Sequence, residues 1–303
     1  ASTTSDMRRI LIAGARGYLA GPLIARLEKH ARPFKISLHA SRGIRPFDLS
    51  DPAQARAAVR AARPDEVYLL AGTTRARGWN EMWRAHVTAT VNLLEALAAR
   101  RAPVRVVIAG SSAEYGAAGG LRRPRENAPL EPVTPYGSCK LAQTLAALSF
   151  ARGHVSVVAA RIFNVLGPGT PENLAPGAFA RQIARIAAGL QSAEVSVGNL
   201  SPRRDYIDVR DVAAAFEVLM RRGRPGECYN VGGGRSTPMS AILRGLADAA
   251  GLRVSERVAP SRRRPSEVRD LAADTHKLRA LGWAPRIPLA RSLADTLAWW
   301  KQR

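Results

Sequence analysis

Arg8-Arg-Ile-Leu-Ile-Ala13, running straight into Gly14-Ala-Arg-Gly-Tyr-Leu-Ala20, is the stretch from which the fold can be read. A short apolar run that ends on glycines is what a strand buried on both faces produces. The residues after it, Pro22 to His30, read as a helix with Leu23, Ile24 and Leu27 on one face. Gly14, Gly17 and Ala20 therefore sit in a strand–turn–helix setting, where backbone N–H groups can approach a pyrophosphate at the positive end of a helix. Gly14, Arg16, Gly17, Tyr18 and Leu19 are candidate contacts for a dinucleotide. A tight βα turn alone would also call for the glycines.

The same alternation continues outward. Phe34–His39 reads as a second strand, Pro52–Ala62 as an alanine-rich helix and Glu66–Ala71 as a third strand. Met82–Arg100 is a long helix with Val87, Val91, Leu94 and Leu97 at helical spacing. Val104–Ala109 and Val155–Arg161 are further strands, separated by a helix from Tyr136 to Arg152. Strands and helices joined by short turns require parallel βαβ crossovers and a doubly wound α/β sheet of the Rossmann type. After about residue 165 proline and glycine crowd the chain and the rhythm breaks. The expected division is a dinucleotide-binding domain over 1–164 and about 201–229, with a smaller mixed α/β substrate-binding region over about 165–200 and 230–303.

At 303 residues and 46% hydrophobic content the chain can bury a large core. Nothing approaches eighteen consecutive apolar residues and the first seven residues are polar, so a soluble cytoplasmic protein is expected, with no membrane partner. Cys139 and Cys228 give no metal-ligand spacing, and no metal site is expected. The net charge of +22 invites a nucleic-acid reading. However, only five of the 46 basic residues are lysine, the arginines are scattered, and no nucleic-acid motif accompanies them. No nucleic-acid partner is therefore expected.

Three residues carry candidate chemistry. Tyr136 and Lys140, in Pro135-Tyr-Gly-Ser-Cys-Lys140, lie at i and i+4 and share a helix face. An ammonium beside a phenol draws its pKa down from about 10 and makes a usable acid. Ser111, twenty-five residues upstream of Tyr136, ends the strand Val104–Ala109 in Gly110-Ser-Ser-Ala-Glu-Tyr115. The second strand closes on His39-Ala-Ser-Arg42 with no acid. Ser41, Arg42 and Arg16 therefore suit the 2′-phosphate of NADP. NAD is the alternative, since 41 arginines make chance placement a competitor.

These motifs, with Asp48-Leu49, Leu70-Ala71-Gly72 and Arg161-Ile-Phe-Asn164, resemble the extended short-chain dehydrogenase/reductases from about Arg8 to Trp300. The resemblance implies a catalytic set of Ser111, Tyr136 and Lys140. It puts Asp48 and Leu49 near the adenine and Leu70, Ala71 and Gly72 along the cofactor ribose. Phe163 would lie at the nicotinamide and Asn164 at a substrate phosphate. Gly198-Asn199-Leu-Ser-Pro-Arg-Arg204 and Arg264-Pro-Ser-Glu267 resemble the nucleotide-sugar enzymes, especially those that handle GDP-mannose derivatives. Asn199 joins the substrate set. Arg204 and Arg264 would clamp a diphosphate and Glu267 would accept from ribose hydroxyls. The 4,6-dehydratases of this family carry a glutamate two residues after the catalytic Ser/Thr. Here that position is Ala113, and Glu114, one residue on, should face the other way. His86 replaces the first residue of the helix motif Asn-Val-x-Gly-Thr, either as a pocket residue or as a packing and backbone-bonding one. The implied activity is NADP-dependent reduction of a nucleotide-linked 4-keto-6-deoxy sugar such as GDP-4-keto-6-deoxy-mannose, with a 4-epimerase or 4,6-dehydratase as the alternative. A homodimer through the helices Met82–Arg100 and Tyr136–Arg152 is implied as well.

Overall fold

The structure, a computed structural model, describes residues 8–74, 76, 78–117, 120–259 and 268–303. The chain forms two compact units: Ala1–Tyr115 with Pro132–Arg161 and Ala213–Tyr229, and Gly116–Glu131 with Ile162–Val212 and Asn230–Arg303. Its strands are β1 (Ile10–Ala13), β2 (Phe34–Ser37), β3 (Arg45–Pro46), β4 (Glu66–Leu69), β5 (Val104–Ser111), β6 (Val155–Ile162) and β7 (Asn164–Leu166). They continue as β8 (Glu194–Val197), β9 (Arg203–Asp208), β10 (Cys228–Val231), β11 (Ser236–Pro238), β12 (Ser255–Val258) and β13 (Asp270–Leu271). The helices are α1 (Ala20–Leu27), α2 (Pro52–Ala62), α3 (Trp79–Trp83), α4 (Ala89–Ala99) and α5 (Pro135–Ser149). After them come α6 (Ala175–Ala187), α7 (Val209–Arg222), α8 (Met239–Ala250), α9 (His276–Arg279) and α10 (Leu289–Lys301).

The first unit carries a seven-stranded sheet in the order β10-β6-β5-β4-β1-β2-β3, the doubly wound sheet expected from the sequence. β1 pairs in parallel with β2 on one side and β4 on the other, and β4 pairs in parallel with β5. All four residues of β1 are buried, which is why its sequence shows no polar alternation. Strand order reverses between β1 and β4, and open α/β sheets take their ligands outside the carboxyl ends of the strands at such a point. The core there joins Leu11, Ile36, Val67 and Ile108 to Leu93, Leu94 and Leu97 of α4.

Two local departures from the expected elements have physical causes. α1 begins at Ala20, two residues before Pro22, because a proline in the first turn withholds an N–H that has no helical acceptor anyway. The expected continuous helix over Met82–Arg100 is α3, a π-helical turn over Arg84–Thr88 and then α4. Such turns insert a residue into the helical ladder, and helical spacing of apolar residues alone does not disclose them.

In the second unit β9 pairs in parallel with β7 and β13 and antiparallel with β11, while β8 pairs in parallel with β12. Helices α6, α8 and α10 pack through Ile183, Leu243, Leu246, Leu293 and Leu297. These units are cut differently from the domains drawn on the sequence. Residues 201–212 belong with the second unit because β9 is the hub of its sheet. Residues 116–131 join it because Arg122 O accepts from Ala272 N (2.8 Å) and Pro124 O accepts from Asn230 Nδ2 (3.0 Å). No helix among the described residues is long and apolar enough to cross a membrane.

Candidate active site

At the β1–α1 turn, Gly14 has φ +86°, and a Cβ there would lie 2.6 Å from Ala71 N. The glycine therefore permits two things together: a left-handed turn and direct contact with the chain leaving β4. Gly14 N and Ala15 N both donate to Ile36 O (3.0 Å each), and Gly17 N donates to Gly14 O (2.9 Å). Leu19, the residue that caps α1, makes no side-chain bond to its first turn, so the N–H groups of that turn are not closed off by a side chain. Arg16 is exposed, while Tyr18 and Leu19 are partly buried. Beyond β2, Ser41 and Ile44 exchange backbone bonds (3.2 and 2.8 Å) around Gly43, forming a turn that exposes Ser41 and Arg42. Asp48 accepts from Ser50 N (2.9 Å) and Ser50 Oγ (2.7 Å), and Leu49 is buried with its carbonyl held by Asn92 (3.0 Å). Leu70 N donates to Ala13 O (2.9 Å). This cradle, with glycine at positions 14 and 17 and arginines rather than acids after β2, fits a phosphorylated dinucleotide.

Ser111 ends β5 in extended conformation and caps a short 3-10 turn over Ser112–Glu114, its Oγ accepting from Ala113 N (3.2 Å). α5 is started by Thr134, whose Oγ1 accepts from Gly137 N (3.0 Å), with Pro135 in the first turn. A Cβ on Gly137 would stand 2.5 Å from Ala113 O. That glycine lets α5 rest on the turn carrying Ser111, and it brings Tyr136 to hydrogen-bonding contact with the Ser111 side chain. Lys140, 5% exposed, donates to Ala109 O and to Gln143 Oε1 (2.8 Å). Gln143 passes the chain on to Thr90 Oγ1 (2.8 Å).

The expected lowering of the Tyr136 pKa by Lys140 is not found. Burial pushes the Tyr136 hydroxyl up to about 12; the Ser111 bond works against this and the Glu114 charge adds to it. Lys140 spends its ammonium on Ala109 and Gln143, and burial pulls its own pKa down to about 8, opposed by Glu114. Tyr136 is thus a fully protonated donor at neutral pH.

Glu114 lies on a 3-10 turn, not on the extended segment assumed in the face-alternation argument, and its side chain goes into the core. It is fully buried, with Oε1 accepting from Ser111 N (2.8 Å) and Thr144 Oγ1 (2.9 Å) and Oε2 from Arg161 Nε (2.7 Å). The Ser-x-x-Glu spacing of a capping box was the available signal for this role. His86, in the π-helical turn, is 2% exposed. Its Nε2 lies 2.9 Å from Thr73 O, its ring crosses that of Tyr136 edge-on at 5.6 Å, and it occupies the space a Cβ on Gly72 would need. It is a packing and backbone-bonding histidine that also buttresses Tyr136. Burial, then the Lys140 charge, pull its pKa down to about 4, leaving it neutral.

The remaining predicted residues that the structure describes lie in the second unit. Phe163 is buried and its N–H donates to Val231 O (2.9 Å). Asn164 Nδ2 donates to Asp205 O (3.3 Å). Asn199 Oδ1 is engaged locally by Ser201 N (3.0 Å) and Ser201 Oγ (2.8 Å). Arg204 is partly buried on β9, with NH1 donating to Arg203 O (2.8 Å). Arg264 and Glu267 lie outside the described residues.

The sequence profile of the NAD dependent epimerase/dehydratase family matches residues 10–232. The chain is 29% identical to the GDP-6-deoxy-D-mannose reductase of Pseudomonas aeruginosa, over 98% of each chain. It is 30% identical to the dTDP-6-deoxy-L-talose 4-dehydrogenase (NAD(P)(+)) of Kitasatospora kifunensis, over 95% of this chain and 94% of the relative. Among solved structures, RMD from Pseudomonas aeruginosa complexed with NADPH superposes with a TM-score of 0.87 at 30% identity, over 98% of this chain and 99% of that one.

The contact at Gly137 yields a test of how the site is assembled. Alanine is the better helix former by about 1 kcal/mol, whereas forcing a methyl group against a backbone carbonyl costs about 1–3 kcal/mol. Gly137→Ala is expected to lower the Tm; an unchanged or raised Tm would show that α5 does not rest on Ala113.

Proposed function

The chain belongs to the NAD dependent epimerase/dehydratase family, and on that footing we propose that it is an NADP-dependent 4-ketoreductase of nucleotide-linked 4-keto-6-deoxy sugars. The reading rests on one observation: Ser111, Tyr136 and Lys140 are assembled on β5 and α5, while Ala113 supplies no carboxylate and Glu114 is drawn into the core. A proton donor is present, and the acid/base group expected of an eliminating enzyme is not at its position. Relatives named for a GDP-6-deoxy-D-mannose reductase and a dTDP-6-deoxy-L-talose 4-dehydrogenase support a hydride reaction at C4. GDP-4-keto-6-deoxy-mannose is the substrate we favour.

The Gly14–Ala20 turn, Arg16, Ser41 and Arg42 would hold one end of NADPH, and Tyr136 and Lys140 the other; the reduced cofactor would supply the hydride. Tyr136, protonated up to about pH 12, gives its proton to the alkoxide that develops at the ketone oxygen. Ser111 donates a hydrogen bond to the same oxygen and stabilises its charge as it forms. Lys140 keeps a positive charge beneath the pair below about pH 8. Arg204 and Arg264, with Glu267, Asn164 and Asn199, are the residues we assign to the nucleotide diphosphate, for which a planar guanidinium fork is well suited.

Incubation with a panel of GDP, UDP and dTDP sugars should raise the Tm with the true nucleotide, and its 4-keto-6-deoxy sugar should consume NADPH absorbance. Tyr136→Phe should abolish that consumption with NADPH binding kept within about twofold; full activity in this variant would sink the assignment. For the cofactor, Arg42→Ala should cut kcat/KM for NADPH by roughly tenfold or more and spare NADH, and an equal loss with both would contradict the 2′-phosphate contact. Two copies are proposed to pair through α3–α4 and α5, since Trp79, Trp83 and Leu145 stand 53%, 46% and 58% exposed there. Sedimentation should give a dimer that Trp83→Glu converts to monomer; a monomeric native chain would refute the pairing.

A further inference from the structure

The buried carboxylate of Glu114 is not accounted for by the reaction, yet it lies against the residues that carry it out. Three consecutive residues at the end of β5 receive the charges of this region. Ala109 O accepts the Lys140 ammonium, and Ser111 N donates to Glu114 Oε1 at 2.8 Å. Between them, a Cβ on Gly110 would stand 2.7 Å from that same Oε1, so the carboxylate sits where a side chain would otherwise be. On α5, Thr144 lies one turn beyond Lys140 and donates to Oε1 at 2.9 Å. Across the sheet, Arg161 of β6 closes the far oxygen at 2.7 Å, with both side chains almost wholly buried (4% and 0%). Every hydrogen bond of Glu114 is thus made to an N–H or O–H donor, as suits an ionised carboxylate.

We propose that Glu114 is a positioning residue, whose buried carboxylate fastens the Ser111 turn to α5 and β6 and supplies the negative charge that keeps Lys140 protonated. This builds on the reading of Ser111, Tyr136 and Lys140 as the reacting set. The groups facing Lys140 are Glu114 from the turn after β5, His86 from the π-helical turn and Tyr136 one turn back on α5. His86 is held neutral and Tyr136 protonated at physiological pH. Among the described residues Glu114 is therefore the anion that opposes the burial of Lys140. Arg161 meets the carboxylate from the opposite side and orients it. Without Glu114, the same burial would leave Lys140 neutral over more of the physiological range.

The chain holds only five lysines, so lysine labelled with 13C at Cε resolves the buried one and lets its titration be followed without any substrate. Lys140→Met identifies the signal. In the native chain the midpoint should lie near 8, and Glu114→Gln should lower it by about one unit or more. Thr144→Val removes one hydrogen bond and no charge, and should leave the midpoint in place. If Glu114→Gln leaves Arg161 too poorly accommodated to fold, Glu114→Gln with Arg161→Gln removes both charges, and the midpoint should again fall. A Lys140 midpoint unmoved in whichever of these variants folds would overturn the proposal. Because the titration needs no ketosugar, a shifted midpoint in a chain that reduces none would uphold the role of Glu114 and refute the ketoreductase reading instead. With the reductase substrate in hand, the descending limb of the pH–rate profile should move down by the same amount as the NMR midpoint, a change that a purely structural defect would not produce.

Discussion

Everything at the candidate site depends on how closely α5 lies on the turn that follows β5. The approach is fixed by an absent side chain: a Cβ on Gly137 would come within 2.5 Å of Ala113 O. With the helix seated there, Tyr136 meets Ser111 and Lys140 reaches the backbone of Ala109. Beneath this contact, Glu114 and Arg161 form an ion pair sealed from water. Removing one member of such a pair costs about 3–5 kcal/mol, because the other is left charged and dry. The turn is therefore anchored by groups whose loss is felt far more strongly than that of a surface pair.

The same economy appears at the other end of the sheet. Gly14 has to be glycine twice over, for its positive φ and for its contact with the chain at Ala71. The result is a tight glycine turn at the point where strand order reverses, with Arg16 and Arg42 exposed. Gly72 makes the matching concession to the His86 ring, which in turn supports Tyr136. Close approach, more than any single strong interaction, assembles the region.

Much of this was legible in the sequence, and the reason differs by element. The parallel strands announced themselves because burial on both faces leaves runs such as Ile10–Ala13 without polar residues. α2 was readable to the residue because Asp51 and Pro52 mark its start and the Ala53 amide meets the Asp51 carboxylate. The inward turn of Glu114 did not follow from strand alternation, since Ser112–Glu114 is a 3-10 turn; the Ser-x-x-Glu spacing of a capping box is the signal that fits it. The π-helical turn over Arg84–Thr88 did not show, since it preserves apolar spacing on either side. The place of β9 in the second unit did not show either, because β9 reads like any short strand and its partners β7, β11 and β13 are distant in sequence. The effect of Lys140 on Tyr136 was also misjudged. Helical spacing puts the two on one face, but it does not reveal that Ala109 and Gln143 compete for the ammonium.

The central claim is a net transfer of hydride to a ketone carbon, with Tyr136 supplying the proton. It is tested most directly by incubating the protein with NADPH deuterated at the transferable C4 position and GDP-4-keto-6-deoxy-mannose, then reading the sugar by mass spectrometry and NMR. The account predicts one deuterium per product molecule, at C4 of the sugar, with one NADP+ formed for each. A sugar converted without deuterium and without NADP+ release would contradict it, and would mean that the hydride is taken from the sugar and returned to it.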